Sequence, residues 1–150
     1  MCFLANPNSK YMFQPIQSLP ALSNCTLCVI KPHIIKEKHL GEIIDMILTA
    51  GFEVSALQMF WLDKQTSKEF FEVYEFLPEY MKTIDHMITG PCVALEVRHE
   101  NPVAPFRELC GPFDPSVAKQ LYPNSIRARF GQDRVRNAVH CTDLPEDGPL

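Results

Sequence analysis

The chain has 150 residues, 46% of them apolar, and its 14 basic and 18 acidic side chains leave a net charge of −4. That is enough apolar side chain for one sizeable core and too little length for two ordinary domains. The acidic balance excludes a generally cationic nucleic-acid coat, and the apolar content excludes a low-hydrophobicity disordered chain.

No apolar run approaches the roughly 18 residues a membrane-spanning helix needs, and residues 1–6 lack the basic flank and apolar stretch of a secretion signal. The expected compartment is the cytosol, with neither a membrane nor a specific nucleic acid as partner. Cys2, Cys25, Cys28, Cys92, Cys110 and Cys141 are scattered through a chain long enough to fold without staples, so reduced thiols are expected. Cys25 and Cys28 have the spacing of half a zinc site, but residues three apart on a strand face opposite ways, so buried structural thiols and no metal site are expected.

Residues 1–23, rich in proline and asparagine, read as a tail. Cys25 to Ile30 is a continuous apolar run of strand length, closed by Lys31-Pro32 because proline removes a ladder donor. From Lys38 to Ala50, Leu40, Ile43, Ile44, Ile47 and Leu48 recur at helical steps, with Gly51 where a cap is expected. Phe52 to Trp61 alternates partly and predicts a second strand. Thr66 or Ser67 can cap a helix running through Tyr74, and Pro78 can open another through Met87. Gly90-Pro91 breaks the pattern, and Cys92 to Val97 predicts a third strand. Asn101 and Pro102 open a helix reaching Leu109. Phe113 to Arg136, interrupted by Pro115 and Pro123, reads as irregular. Asn137 to Cys141 is a last strand before an acidic Pro-Gly ending. This order suits an α+β sandwich of ferredoxin-like type, a four-stranded antiparallel sheet covered by helices.

Five of the six arginines, Arg107, Arg127, Arg129, Arg134 and Arg136, fall within thirty residues of an acidic chain. Guanidinium groups gathered together repel unless an anion joins them, and their planar fork matches phosphate oxygens. The competing reading is a solvated face whose arginines pair with Glu108, Asp114 and Asp133. His140 ends the apolar strand directly after this stretch. Nearby cations hold an imidazole neutral, leaving one ring nitrogen with the lone pair a nucleophile requires. The chain has neither a Gly-x-x-x-x-Gly-Lys loop nor a Gly-rich Rossmann turn, so a nucleotide would be held by side chains.

Three anchors in order carry a family resemblance: Ile30-Lys31-Pro32; Phe106-Arg107-Glu108-Leu109-Cys110-Gly111 with Asp114-Pro115; and Ser125-Ile126-Arg127-Ala128 leading to Asn137-Ala138-Val139-His140-Cys141-Thr142-Asp143. With them, the chain from about Cys25 to Asp143 resembles the nucleoside diphosphate kinases, and residues 24–150 are expected to form the corresponding domain. The tract Asp114 to Ala118 and the ending Cys141 to Gly148 are most similar to a family member associated with cilia and centrosomes.

The resemblance implies that His140 accepts the γ-phosphoryl group of a nucleoside triphosphate and passes it to a nucleoside diphosphate, with Mg²⁺ on the nucleotide. It implies that Arg107 and Arg127 grip phosphates, that Lys31 and Asn137 contact sugar hydroxyls and phosphate, that Phe71 lies beside the histidine, and that Thr142 stands where a serine usually supports the imidazole. As partners it implies nucleoside triphosphates and diphosphates, and a homo-oligomer or a ciliary or microtubule-associated assembly, with the cilium, centrosome or cytoskeleton as further locations.

Several positions depart from the family pattern. His33 replaces an aspartate, Phe113 a phosphate-binding threonine, and Glu79 and Arg134 stand where apolar side chains clamp the base. The sequence ends at Leu150, short of a glutamate that orients the histidine, so a truncated C-terminus is expected. These departures keep a second expectation open, a catalytically weak nucleotide- or protein-binding domain of the same fold. An RNA-binding ferredoxin-like module is disfavoured, because strands Cys25 to Ile30 and Cys92 to Val97 lack interleaved aromatic and basic residues.

Overall fold

The computed structural model describes residues 24–142; the predicted tail, residues 1–23, and the acidic ending from residue 143 lie outside them. Four strands, β1 (Cys25–Ile30), β2 (Glu53–Phe60), β3 (Cys92–Arg98) and β4 (Val139–Cys141), form a sheet of order β2-β3-β1-β4. Every neighbouring pair is antiparallel, which is the predicted ferredoxin-like arrangement. β1 lies in the interior of the sheet because it is apolar on both faces, and Lys31-Pro32 ends it as α1 (Pro32–Lys36) begins.

One face of the sheet carries the main core. Cys28 and Ile30 of β1, Val93, Leu95 and Val97 of β3, and Val139 and Cys141 of β4 meet Ile43 and Ile47 of α2 (Leu40–Thr49) and Phe106 of α5 (Val103–Cys110). The amphipathic period of α2 is the predicted one, and Gly51 follows it at φ +89°. The opposite face carries a smaller cluster, in which Val29 and Cys92 pack under Phe71 and under Ile84 and Met87 of α4 (Tyr80–Met87). Asp63 opens α3 (Lys64–Phe70) by accepting from the Thr66 amide at 2.8 Å, so the cap lies three residues earlier than the Thr66 expected from the sequence. A single 3₁₀ turn, Glu72–Tyr74, replaces the end of the predicted helix.

The stretch from Phe113 to Arg136 is not irregular throughout. It contains α6 (Pro115–Leu121) and α7 (Ile126–Phe130). Pro115 occupies a first-turn position, where its missing N–H is no loss, and the Asp114 and Ser125 side chains accept from the amides of Ser116 and Ala128. Pro115, which reads as a breaker in the sequence, is therefore a helix start, whereas Pro123 lies between the two helices. β4 is also shorter than expected, because Ala138 adopts φ +73° and breaks the extended run after Asn137.

Candidate active site

The site follows from the period of β4. Val139 and Cys141 face the main core, so His140 between them faces the other side, where Val29 is its partner on β1. Among the described residues, the α3–α4 hairpin covers that face, and it leaves a cavity of about 560 Å³. His140 lines this cavity together with Lys31, Phe71, Arg107, Arg127 and Asn137. Of the residues expected from the sequence, only Thr142 stands apart: its hydroxyl accepts from the Leu27 amide at 3.3 Å, tying the end of β4 to β1.

Three aromatic rings meet His140 edge to face: Phe70 and Phe71 with centroids at 5.3 Å and Tyr74 at 5.8 Å. Phe71 was expected there. Phe70 and Tyr74 were not, although Tyr74 stands three residues after Phe71 and four after Phe70, the helical steps that could have found them. These rings pack against the imidazole, which is half-buried on the cavity wall. Burial is the largest cause that lowers the His140 pKa, to about 3, with the charges of Lys31 and Arg127 adding to it. The ring is therefore neutral at pH 7, as expected, but burial outweighs the neighbouring cations that the sequence alone suggested.

Arg127 is 8% exposed and holds the site together from α7. Its Nη1 donates to the Gly111 carbonyl at 2.8 Å and its Nη2 to the Val139 carbonyl at 3.0 Å, while its buried Nε has no partner. Lys31, 3% exposed, donates from Nζ to the Val135 carbonyl at 2.9 Å. Burial and then the Arg127 charge lower its pKa to about 7. Asn137 donates from Nδ2 to the Phe113 carbonyl at 3.0 Å and leaves Oδ1 buried without a partner. The unsatisfied guanidinium N–H calls for an acceptor, such as a phosphate oxygen, and the unsatisfied amide oxygen calls for a donor, such as a hydroxyl.

The remaining arginines disperse. Arg129 faces Glu42 at 3.9 Å, Arg134 pairs with Glu79 at 3.0 Å, and Arg136 with Asp133 at 2.7 Å. The five-arginine cluster is therefore a pair in the cavity plus three ion-paired residues, and the Asp133 pairing is the one the solvated-face reading named. Glu108 lines the cavity, and Asp114 instead caps α6. Beside Lys31, His33 Nδ1 lies 2.9 Å from His86 Nε2, and His33 Nε2 is buried without a partner. Cys28, Cys110 and Cys141 are buried in the core behind the site, and burial holds the Cys28 and Cys110 thiols protonated. Cys25 is half-buried one face away from Cys28.

A four-stranded antiparallel ferredoxin-like sheet, with a histidine packed against aromatic rings in a cavity that two arginines and a lysine also line, places the chain in a recognisable structural class. The family model described as nucleoside diphosphate kinase matches residues 24–149, and the chain belongs to that family. It is 52% identical over 129 residues to nucleoside diphosphate kinase homolog 7 of Rattus norvegicus, covering 85% of this chain and 33% of that protein. The chain thus spans about a third of the length of that relative. It is 37% identical over 121 residues to the nucleoside diphosphate kinase of Aquifex aeolicus, covering 81% of this chain and 85% of that one. A crystal structure of the Aquifex aeolicus enzyme superposes with TM-score 0.79 at 36% identity, covering 83% of this chain and 89% of its own. The apo enzyme of Encephalitozoon cuniculi superposes at TM-score 0.77 with 22% identity, covering 83% of each chain, which speaks for the fold alone.

Proposed function

We propose that this domain transfers the γ-phosphoryl group of a nucleoside triphosphate to a nucleoside diphosphate through a phosphohistidine at His140. The observation that carries the reading is the neutral His140 ring facing the same cavity as Arg107, Arg127 and Lys31. The ring lone pair attacks the γ-phosphorus; an N–P bond forms, the bond to the bridging oxygen breaks, and the diphosphate leaves. A second diphosphate then attacks with its terminal oxygen and breaks the N–P bond. Such a transfer needs alignment and charge neutralisation more than covalent chemistry, and the rings of Phe70, Phe71 and Tyr74 supply the first while the three cations supply the second.

Mg²⁺ fits the donor set as a passenger of the nucleotide. The cavity offers few hard oxygen ligands, chiefly the unpartnered Asn137 Oδ1 and the carboxylates of Glu79 and Glu108, and Mg²⁺ in phosphoryl-transfer sites is held mainly by phosphates and water. When bound, the ion neutralises charge on the phosphate oxygens.

A second reading is a nucleotide-binding domain with little transfer activity, serving a ciliary or microtubule-associated assembly. The Phe113 side chain favours it, since it removes a hydroxyl donor from the cavity wall. Incubation with terminally labelled nucleoside triphosphate separates the two. Acid-labile, base-stable label that vanishes in His140→Ala and chases onto added diphosphate establishes transfer. Binding without label establishes the second reading.

A further inference from the structure

The cavity has a cationic wall, described above, and a second wall built by the start of α4 and the α5–α6 connection, where Glu79, Tyr80, Thr83 and Phe113 lie. Lys31, Arg107 and Arg127 draw the phosphates to the cationic wall, which leaves the wall with the ion-paired Glu79 to the nucleoside.

The two oxygens of Glu79 differ. Oε1 accepts from Arg134 Nε at 3.0 Å, whereas Oε2 is shielded from solvent and accepts no hydrogen bond. Leaving a carboxylate oxygen shielded and unsatisfied is costly, and the group that relieves it must be an N–H or O–H donor. Above Glu79's partner the geometry is flat: the Arg134 guanidinium lies 5.4 Å over the Phe113 ring. A flat cation on a ring beside one edge acceptor suits a planar heterocycle that carries donors on its rim.

The nucleobases differ on that rim. Guanine sets N1–H and its 2-amino group side by side, two donors pointing the same way. Uracil has a single imide N–H between two carbonyl oxygens, which a carboxylate repels. We propose that Glu79 is a specificity-determining residue that selects guanine nucleotides by accepting from the N1–H and 2-amino edge. This rests on the reading of the cavity as a nucleotide site.

Calorimetric titration of the full chain with GDP, IDP and UDP tests it. A charge-assisted hydrogen bond to a base edge discriminates by about tenfold or more, so GDP should bind at least about tenfold tighter than UDP. IDP, which lacks only the 2-amino group, should fall between them. In Glu79→Ala the three affinities should converge to within about threefold. GDP and UDP binding equally to the unaltered chain overturns the inference and leaves the nucleotide reading standing, as does a guanine preference that survives Glu79→Ala. Failure of every nucleotide to bind overturns both. The GDP to IDP ratio of the unaltered chain is decisive even if the variant does not fold.

Discussion

Arg127 reaches from α7 to the carbonyl of Val139, the residue immediately before His140, and its other nitrogen holds the carbonyl of Gly111 at the end of the helix that carries Arg107. One buried guanidinium thus links the strand of the histidine to the helix of the second arginine. Its third nitrogen, Nε, is buried without a hydrogen-bond partner of its own.

Arg127→Ala should therefore lose stability and phosphate binding together. Two buried carbonyls lose their donors, a loss of about 2–4 kcal/mol, read as a lower urea midpoint. Arg127→Lys should recover only part of it, because one ammonium cannot span both carbonyls in the fork geometry. Full recovery by lysine would contradict the bridging role.

Lys31 is a buried amine whose pKa is lowered to about 7 by burial and by the Arg127 charge. The folded chain therefore holds this proton less tightly than the unfolded one, and its contribution to stability falls as pH drops from about 10.5 to about 7. A phosphate anion reverses this by favouring the ammonium. Nucleoside diphosphate binding at pH 8 should take up close to one proton, measured by calorimetry in buffers of different ionisation enthalpy. Lys31→Met should stabilise the unliganded chain, weaken diphosphate binding and abolish the uptake.

His33, His86 and His140 all have lowered pKa values, to about 3, 4 and 3, with burial the largest cause in each. The unfolded chain binds these protons near pH 6.5, while the folded chain resists until far lower. Stability should be full above pH 6.5 and decline progressively toward pH 3. By pH 5, buried His33 alone accounts for about 2 kcal/mol of the loss. Urea midpoints measured from pH 7.5 to 4.5 should fall with decreasing pH, and His33→Gln should flatten the slope. A flat profile in the unaltered chain would falsify this account.

Ala138, fully buried, sits at φ +73°, and the Val139 amide donates back to the Asn137 carbonyl at 3.0 Å. That is a tight three-residue turn in a conformation that disfavours a Cβ, at a cost on the order of 1–3 kcal/mol. Ala138→Gly should relieve part of that strain and raise the thermal midpoint by a few degrees. Ala138→Val, with a branched side chain in the same left-handed turn, should lower it. Opposite signs for the two variants are the signature to look for.

Gly111, at φ +82°, closes α5, and a Cβ there would overlap the Ser125 side chain that caps α7. Gly111→Ala should cost several kcal/mol in denaturant unfolding and displace Arg127, the passenger of α7. Diphosphate affinity should fall in proportion to the loss of order there, monitored by amide exchange at residues 126–130.

The periodicities of α2, of β1 and of the alternating end of β4 were readable from the chain, because helical and strand repeats place apolar residues at fixed steps. So were Lys31, Arg107, Arg127, Asn137 and His140, whose order and spacing carry the family resemblance. The helices α6 and α7 were missed because Pro115, Ser125 and Asp114 are equally good loop residues and helix starters, and only the amides they cap decide between the two.

What residue order alone determined was the alternation that turns His140 away from Val139 and Cys141. Which other arginines would join it was decided largely by packing: Glu42 and Glu79 come from distant parts of the chain to claim Arg129 and Arg134, whereas Arg136 pairs locally with Asp133. Charge partners are set by distance in space. Spacing along a strand fixes only which way a side chain faces.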